Sequence, residues 1–295
     1  MSFGAPHRHF RRTDSTNARA RELVEAGAPH GTVVTAAEQT AGRGRQGRTW
    51  TAPPGKALLY SAILRPLDER HLLLPLAVPL AVCATAEELA PSIECRIKWP
   101  NDIWLEGRKL AGVLIEAKPQ DGWAVIGIGL NLSIAPDEFP PDLGDTAISL
   151  FDPRMESRGE VWGVPREAAH RREIPAAKPL RHSERSVSEA NLGTSPDLSP
   201  TPFTAEGGDG HSARRPPTPG TATEVLNRHL AGWVEAEPKK ILAEWRARDA
   251  LKGRRISWQD GEGVADGIED SGDLVVVAAG GDRVVLGAGE VHLRL

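Results

Sequence analysis

Apolar and polar positions along the chain form two ordered stretches separated by one without periodicity. In the first, Thr32 to Glu38 is short and β-branched, and predicts a strand that delivers Gln39 to whatever follows. Ala57 to Leu64 and Trp123 to Leu132 are nearly continuous apolar runs of strand length. Gly127 and Gly129 interrupt the second run, as glycine does where something approaches the backbone closely. Leu72 to Leu89 is apolar over helical length. Pro75 and Pro79 stand near its start, which places the continuous helix from about Pro79. Between these runs, Glu94 to Leu105 and Lys109 to Glu116 read as strand, short loop, strand, a turn at Glu106-Gly107, and strand. Nearer the N-terminus, Asp14-Ser15-Thr16-Asn17 supplies several good N-caps. Ala18 to Ala26 follows as a helix that Gly27 ends.

From Asp152 to Ala222 the pattern is lost, and ten of the 24 prolines fall there. Large aliphatic residues are sparse, so the stretch cannot bury enough surface to offset the entropy of ordering it. It reads as a disordered insertion. Order resumes with Val225, Leu226, His229, Leu230, Trp233 and Val234 on one helical stripe, in which His229 reads as a packed residue and not a ligand. Pro238 opens a second helix carrying Ile241, Leu242 and Trp245. Arg255 to Trp258, Gly263 to Ile268, Leu274 to Ala278, Arg283 to Leu286 and Glu290 to Leu295 are then short β segments, the signature of a small barrel. The expected organisation is a domain over 1–250, interrupted at 152–222, and a β domain over 251–295.

Length and composition narrow the class. A chain of 295 residues with 40% hydrophobic side chains can build a sizeable core. Its net charge of −4 provides no global attraction for nucleic acid. Cys83 and Cys95 lie outside any metal-ligand spacing. The polar, basic start is no secretory signal, and no apolar run is long enough to span a bilayer, so a cytoplasmic protein is expected.

The densest chemistry lies in Gly42-Arg43-Gly44-Arg45-Gln46-Gly47-Arg48-Thr49-Trp50. Glycines let a backbone wrap an anion, and arginines add permanent charge in a flat fork suited to phosphate or carboxylate. Gly42, Gly44 and Gly47 match the dinucleotide-binding spacing, and the stretch comes close to a P-loop. Both motifs require a helix at the last glycine. Here Pro53-Pro54-Gly55 follows and prevents one, leaving a mobile loop that closes over an anion.

Ser15-Thr16-Asn17, Gln39 to Trp50, Lys98-Trp99-Pro100-Asn101-Asp102, Lys109-Leu110-Ala111-Gly112 and Gly127 to Asn131 occur in that order. In this the chain resembles the biotin–protein ligases, over about residues 13–150 and again from about 223 onward. The resemblance implies an α+β fold with a mixed β-sheet flanked by helices, followed by a small C-terminal SH3-like β-barrel. It implies the activity of a biotin–[acetyl-CoA-carboxylase] ligase. Biotin and MgATP form biotinyl-5′-AMP, which acylates a lysine of a biotin carboxyl carrier protein.

By the same resemblance, Ser15, Thr16, Asn17 and Gln39 hold the uncharged biotin head, and Gly42, Gly44, Gly112 and Gly129 allow close approach. Arg43, Arg45 and Lys109 meet the carboxylate and phosphate. Gly47, Trp50, Asn101 and Asn131 belong to the nucleotide side, with Trp50 closing the lid. Asp102 orients either the acceptor lysine or Mg²⁺, and Lys98 and Trp99 are equally open to a structural reading. No direct metal motif is present, so Mg²⁺ is expected to arrive with ATP.

The cations have a physical reason. Two anions about 4 Å apart repel by roughly 4 kcal/mol at an effective dielectric near 20. Fixed cations offset this and stabilise the charge of the transition state. Some members of the family carry an N-terminal DNA-binding domain. Only 14 residues precede Ser15 here, so no DNA binding is expected. A lipoate–protein ligase and a biotin-sensing DNA-binding regulator are the alternatives. The oligomeric state is open, a homodimer included.

Overall fold

The computed structural model describes residues 1–152, 154, 216–287 and 291–293. Seven strands form one sheet: β1 (His7–Phe10), β2 (Val33–Ala36), β3 (Ala57–Leu64), β4 (Arg96–Lys98), β5 (Asp102–Leu105), β6 (Arg108–Lys118) and β7 (Trp123–Asn131). Their order is β1-β2-β3-β7-β6-β5-β4. β1 runs parallel to β2 and the other pairs are antiparallel, so the sheet is mixed. β3 and β7 are almost wholly buried, as their continuous apolar runs predict. β1 is absent from the sequence expectation because His-Arg-His-Phe carries no apolar alternation. It is an exposed edge whose His7 and His9 rings both meet Thr35 Oγ1, at 2.8 and 2.9 Å.

The two faces of the sheet differ. One carries α2 (Leu74–Leu89), with α3 (Pro219–Val234) packed against both α2 and β3, and α4 (Pro238–Ala247) against α2. Leu58, Tyr60, Leu64, Ile126, Ile128 and Leu130 join these helices in the main core. α1 (Thr16–Glu25) covers the other face, where Ala20 and Val24 meet Val34, Ile63 and Val125. A second small cluster on that face gathers Ala36, Leu59, Ile134 and Phe139. Strand alternation sorts the faces: odd positions of β3 turn toward α1 and even ones toward α2.

α2 corrects one expectation. It begins at Leu74, with Pro75 in its first turn, and runs straight through Pro79. The helix is apolar all round, and Leu76, Val78, Leu80 and Val82 are essentially inaccessible. At about 1.5–3 kcal/mol per buried aliphatic side chain, that packing outweighs the roughly 3 kcal/mol cost of an interior proline.

The late β segments form a five-stranded antiparallel sheet: β8 (Arg255–Trp258), β9 (Gly261–Ile268), β10 (Leu274–Ala278), β11 (Arg283–Leu286) and β12 (His292–Leu293). Its order is β11-β10-β9-β8-β12, open among the described residues with β11 and β12 at the edges. Ile256, Ala265, Leu274 and Val276 belong to the same core as α2. The Trp99 indole N–H donates to Gly272 O at 3.1 Å, which ties this sheet to the β4–β5 loop.

The interior of the expected insertion, 155–215, lies outside the described residues, but its expected ends are corrected. Asp152 has a wholly buried side chain. Thr218 caps α3, Pro219 opens it and Ala222 is inaccessible. Composition blurs these ends because capping and burial depend on what the residues touch. Replacing 155–215 with a short Gly/Ser linker is expected to hold the melting temperature within about 2 °C. Replacing 152–222 is expected to lower it by at least about 5 °C, the scale of one or two lost buried contacts. Equal melting curves for the two deletions would refute these boundaries.

Candidate active site

The face that α1 shares carries a bare patch. β7 contributes Gly127 and Gly129 there, paired in register with Ser61 and Leu59 of β3 and with Leu114 and Gly112 of β6. The missing side chains leave room for two visitors. A Cβ on Gly127 would lie 2.1 Å from Asn17 Oδ1, and one on Gly129 only 2.4 Å from the Trp50 ring. Around this patch opens a cavity of about 470 Å³. Of the biotin, nucleotide and catalytic residues expected from the sequence, all line it except Gly42 and Gly47.

One end is a polar network. Gln39 Oε1 accepts from the Thr16 backbone N–H at 2.7 Å and from Thr16 Oγ1 at 3.0 Å. Ser61 Oγ sits 2.8 Å from Thr16 Oγ1 and 2.6 Å from Asn17 Oδ1. Asn17 Nδ2 donates to Glu116 Oε2 at 2.8 Å, which sets the direction of its amide. Ser15, Thr16, Asn17 and Ser61 are all buried. Local sequence favours capping for Ser15 and Thr16. In the fold Ser15 is the N-cap of α1, but its side chain makes no capping bond, and the residue borders the cavity.

The centre is charged. Lys109 Nζ lies 2.6 Å from Asp102 Oδ1, with the lysine about a third exposed. The β5–β6 hairpin sets this pair. Glu106 and Gly107, with φ of 50° and 76°, make the tight turn, and Asp102 pairs with Gly112. Lys109 is fixed from the far side as well: its N–H donates to Thr146 O at 2.8 Å and its carbonyl accepts from Ile148 N–H at 3.0 Å. Asn101 Nδ2 donates to Val113 O at 2.6 Å, and Arg45 Nη1 lies 3.5 Å from Asn101 Oδ1. Arg43 Nη1 stands 3.5 Å from Glu116 Oε1.

The arginine loop is a closed flap. Trp50 N–H donates to Gly42 O at 3.0 Å and Gly44 N–H to Arg48 O at 2.8 Å, with a single 3-10 turn at Arg45–Gly47 between them. A Cβ on Gly42 would lie 2.2 Å from Trp50 O, and Gly47 has a φ of 74°, so both glycines shape the flap and not the cavity wall. No helix follows, in accord with rejection of the phosphate-loop motifs. The Trp50 ring lies over Gly129 and Gly112, with Lys109 Nζ 5.9 Å from its centroid. Its indole N–H is buried with no partner among the described residues.

Ser61 and Glu116 escape the sequence reading, although a lone serine and a lone carboxylate in apolar strands are the kind of signal that could have found them. Phe139, Leu143, Asp145, Thr146 and Ala147, which wall the end beyond Asn131, lie in a segment with no such signal. Asn131 Nδ2 donates to Ile148 O at 3.0 Å and so holds that segment. Trp99 is buried with its indole held by the C-terminal sheet, and Lys98 lies over the Trp104 ring at 5.2 Å; both border the cavity. His229 bonds Glu88 at 2.8 Å on the far face, away from the cavity. Among the described residues no three His, Cys, Asp or Glu side chains gather as a metal site.

The class of protein that matches this fold and site is a cofactor ligase, because residues 9–133 fit the model of the Biotin/lipoate A/B protein ligase family. A biotin–[acetyl-CoA-carboxylase] ligase of Mycobacterium tuberculosis is 33% identical over 96% of this chain and 87% of its own length. The chain belongs to the biotin–protein ligase family. The bifunctional ligase/repressor BirA of Bacillus subtilis is 43% identical over 46% of the chain, a match that spans 43% of that relative's length. A biotin protein ligase from Aquifex aeolicus, solved with biotin and ATP, shares the fold with a TM-score of 0.64 at 23% identity, over 98% of this chain and 99% of that one.

Proposed function

We propose that the chain activates biotin with ATP as biotinyl-5′-AMP and transfers the biotinyl group to a lysine of a biotin carboxyl carrier domain. The observation that carries this reading is the placement of Lys109, between the Thr16–Asn17–Gln39 network and the Asn131–Ala147 end. An uncharged head in the network would put a carboxylate tail beside the Lys109 ammonium. The remaining end, walled by Phe139, Leu143 and Ala147, takes the nucleoside.

A carboxylate oxygen then attacks the α-phosphorus and pyrophosphate leaves. Lys109 and Arg45 offset the repulsion of the two anions and stabilise the charge that develops. In the second half, an acceptor ε-amine attacks the acyl carbon, AMP departs and the amine loses a proton. Asp102, released from Lys109 as the ammonium turns to phosphate, is a cavity carboxylate suited to take that proton. Mg²⁺ bound with ATP would neutralise phosphate charge, and in that first half Asp102 would be the carboxylate oxygen to hold it. The C-terminal sheet fits the family's SH3-like module, and the expected partner is a carrier protein and not DNA.

The test incubates the protein with ATP, Mg²⁺ and either biotin or lipoate, with mass spectrometry of the adenylate. Lipoyl-AMP without biotinyl-AMP would overturn the assignment. The flap supplies a further prediction. Arg45→Gly removes a cation and adds backbone freedom, so the closed flap loses on both counts. Escaped anhydride should label albumin at a ratio to carrier labelling at least about tenfold above wild type, the factor about 1.4 kcal/mol of lost closure would give. An unchanged ratio would confine Arg45 to the chemical step.

A further inference from the structure

The segment that walls the nucleoside end is held from outside the cavity. Lys109 grips it on one flank through the Thr146 and Ile148 backbone bonds. On the other flank stands Arg154. Its Nη1 donates to Gly144 O at 3.2 Å and its Nη2 to Ala147 O at 3.3 Å, two carbonyls of the same loop. The guanidinium is itself fixed. Nε donates to Asp152 Oδ1 at 2.9 Å, Nη2 to Oδ2 at 2.6 Å, and the Arg154 backbone N–H to Oδ1 at 2.9 Å.

We propose that Arg154, anchored by Asp152, positions the Leu143–Ala147 loop against Lys109 and thereby sets the enzyme's affinity for the nucleotide. This deepens the functional reading above and rests on it. Asp152 has no exposed side-chain surface, and a buried carboxylate is tolerable only when paired. The pair therefore fixes where the guanidinium stands. Burial acts to raise the Asp152 pKa, but the Arg154 bonds and charge outweigh it and hold the carboxyl below its ordinary value.

With one edge of its fork committed to Asp152, the guanidinium still has N–H groups aimed at both loop carbonyls. A lysine, a single point charge, cannot serve both sets of acceptors. Leu143, Asp145, Thr146 and Ala147 line the cavity, while Arg154 and Gly144 do not. Arg154 is thus a positioning residue that acts through the loop.

The test compares wild type with Arg154→Lys and with the double variant Asp152→Asn, Arg154→Gln, which leaves no unpaired buried charge. Melting temperature, the biotin Kd without ATP, and KM and kcat for ATP in adenylate formation are measured for each. A loose loop should raise the ATP KM about tenfold or more, since small misplacements of a positioning element act at this scale. The biotin Kd should stay within about twofold, because the Thr16–Gln39 network is untouched.

A folded variant with wild-type ATP KM would overturn the clamp. So would failure of both variants to fold, which would make the contact structural only. Absence of adenylate with wild type would sink the functional reading and the clamp with it. Adenylate from wild type beside an unchanged ATP KM in the variants would sink the clamp alone.

Discussion

Lys109→Ala is expected to lower the rate of adenylate formation at least about a hundredfold, the scale of removing one preorganised electrostatic stabiliser. Lys109 Nζ borders the cavity 2.6 Å from Asp102 Oδ1 and 5.9 Å from the centroid of the Trp50 ring. Of the other cations in the lining, Lys98 lies over the Trp104 ring at 5.2 Å. Arg43 is directed toward Glu116, and Arg45 reaches Asn101 on the flap side. The substitution also strips Asp102 of its partner, so the cavity would hold an uncompensated carboxylate facing two incoming anions. Both effects act in the same direction, on ATP and on the transition state. Stability should change little, because Lys109 joins the sheet and the Thr146–Ile148 segment through its backbone. Single-turnover adenylate formation, with circular dichroism as the folding control, checks this. A loss smaller than tenfold would remove Lys109 from the chemical step.

Gly129→Val is expected to weaken biotin binding by at least about tenfold while leaving the fold intact. A Cβ at 129 would lie 2.4 Å from Trp50 Cε2, a distance no real contact sustains. The sheet will not yield, since β7 is paired on both sides along its length. Trp50 will, because its ring belongs to a flap held by few backbone bonds. The added methyls would fill the bare patch and displace the ring, so a ligand loses its floor and its cover together. About 1.4 kcal/mol lost in binding is already tenfold, less than the roughly 1.5–3 kcal/mol of burying one large apolar side chain. Gly232→Ala, where nothing lies within 4 Å of the added Cβ, is the matched control. Calorimetric titration with biotin reads the difference. Equal Kd values for the two variants would show that the patch and Trp50 do not border the ligand.

Much of this architecture was legible in the chain. β3, β7 and the turn of the β5–β6 hairpin are legible nearly to the residue, and the start of α4 at Pro238 is too, because each is set by local periodicity or by a residue with one backbone preference. The arginine loop was legible too, since Pro53-Pro54 forbids a helix regardless of what surrounds it. The glycines of the site divide by role only in three dimensions. Gly42 and Gly47 carry the flap backbone, whereas Gly112 and Gly129 carry the floor.

Local pattern was enough for the strands other than β1, for the helices apart from the start of α2, and for the inventory of anion-handling side chains, because propensity acts within a few residues. Tertiary structure decided what those side chains do. Thr16 reads locally as a cap, yet its hydroxyl turns to Gln39, 23 residues away. Glu116 becomes a site residue because Asn17 and Arg43 arrive from distant parts of the chain. Arg154 reads as the edge of an insertion until Asp152 is buried and the loop carbonyls come within reach. A hydrogen bond depends on distance and direction, and for residues far apart in sequence only the folded sheet sets either one.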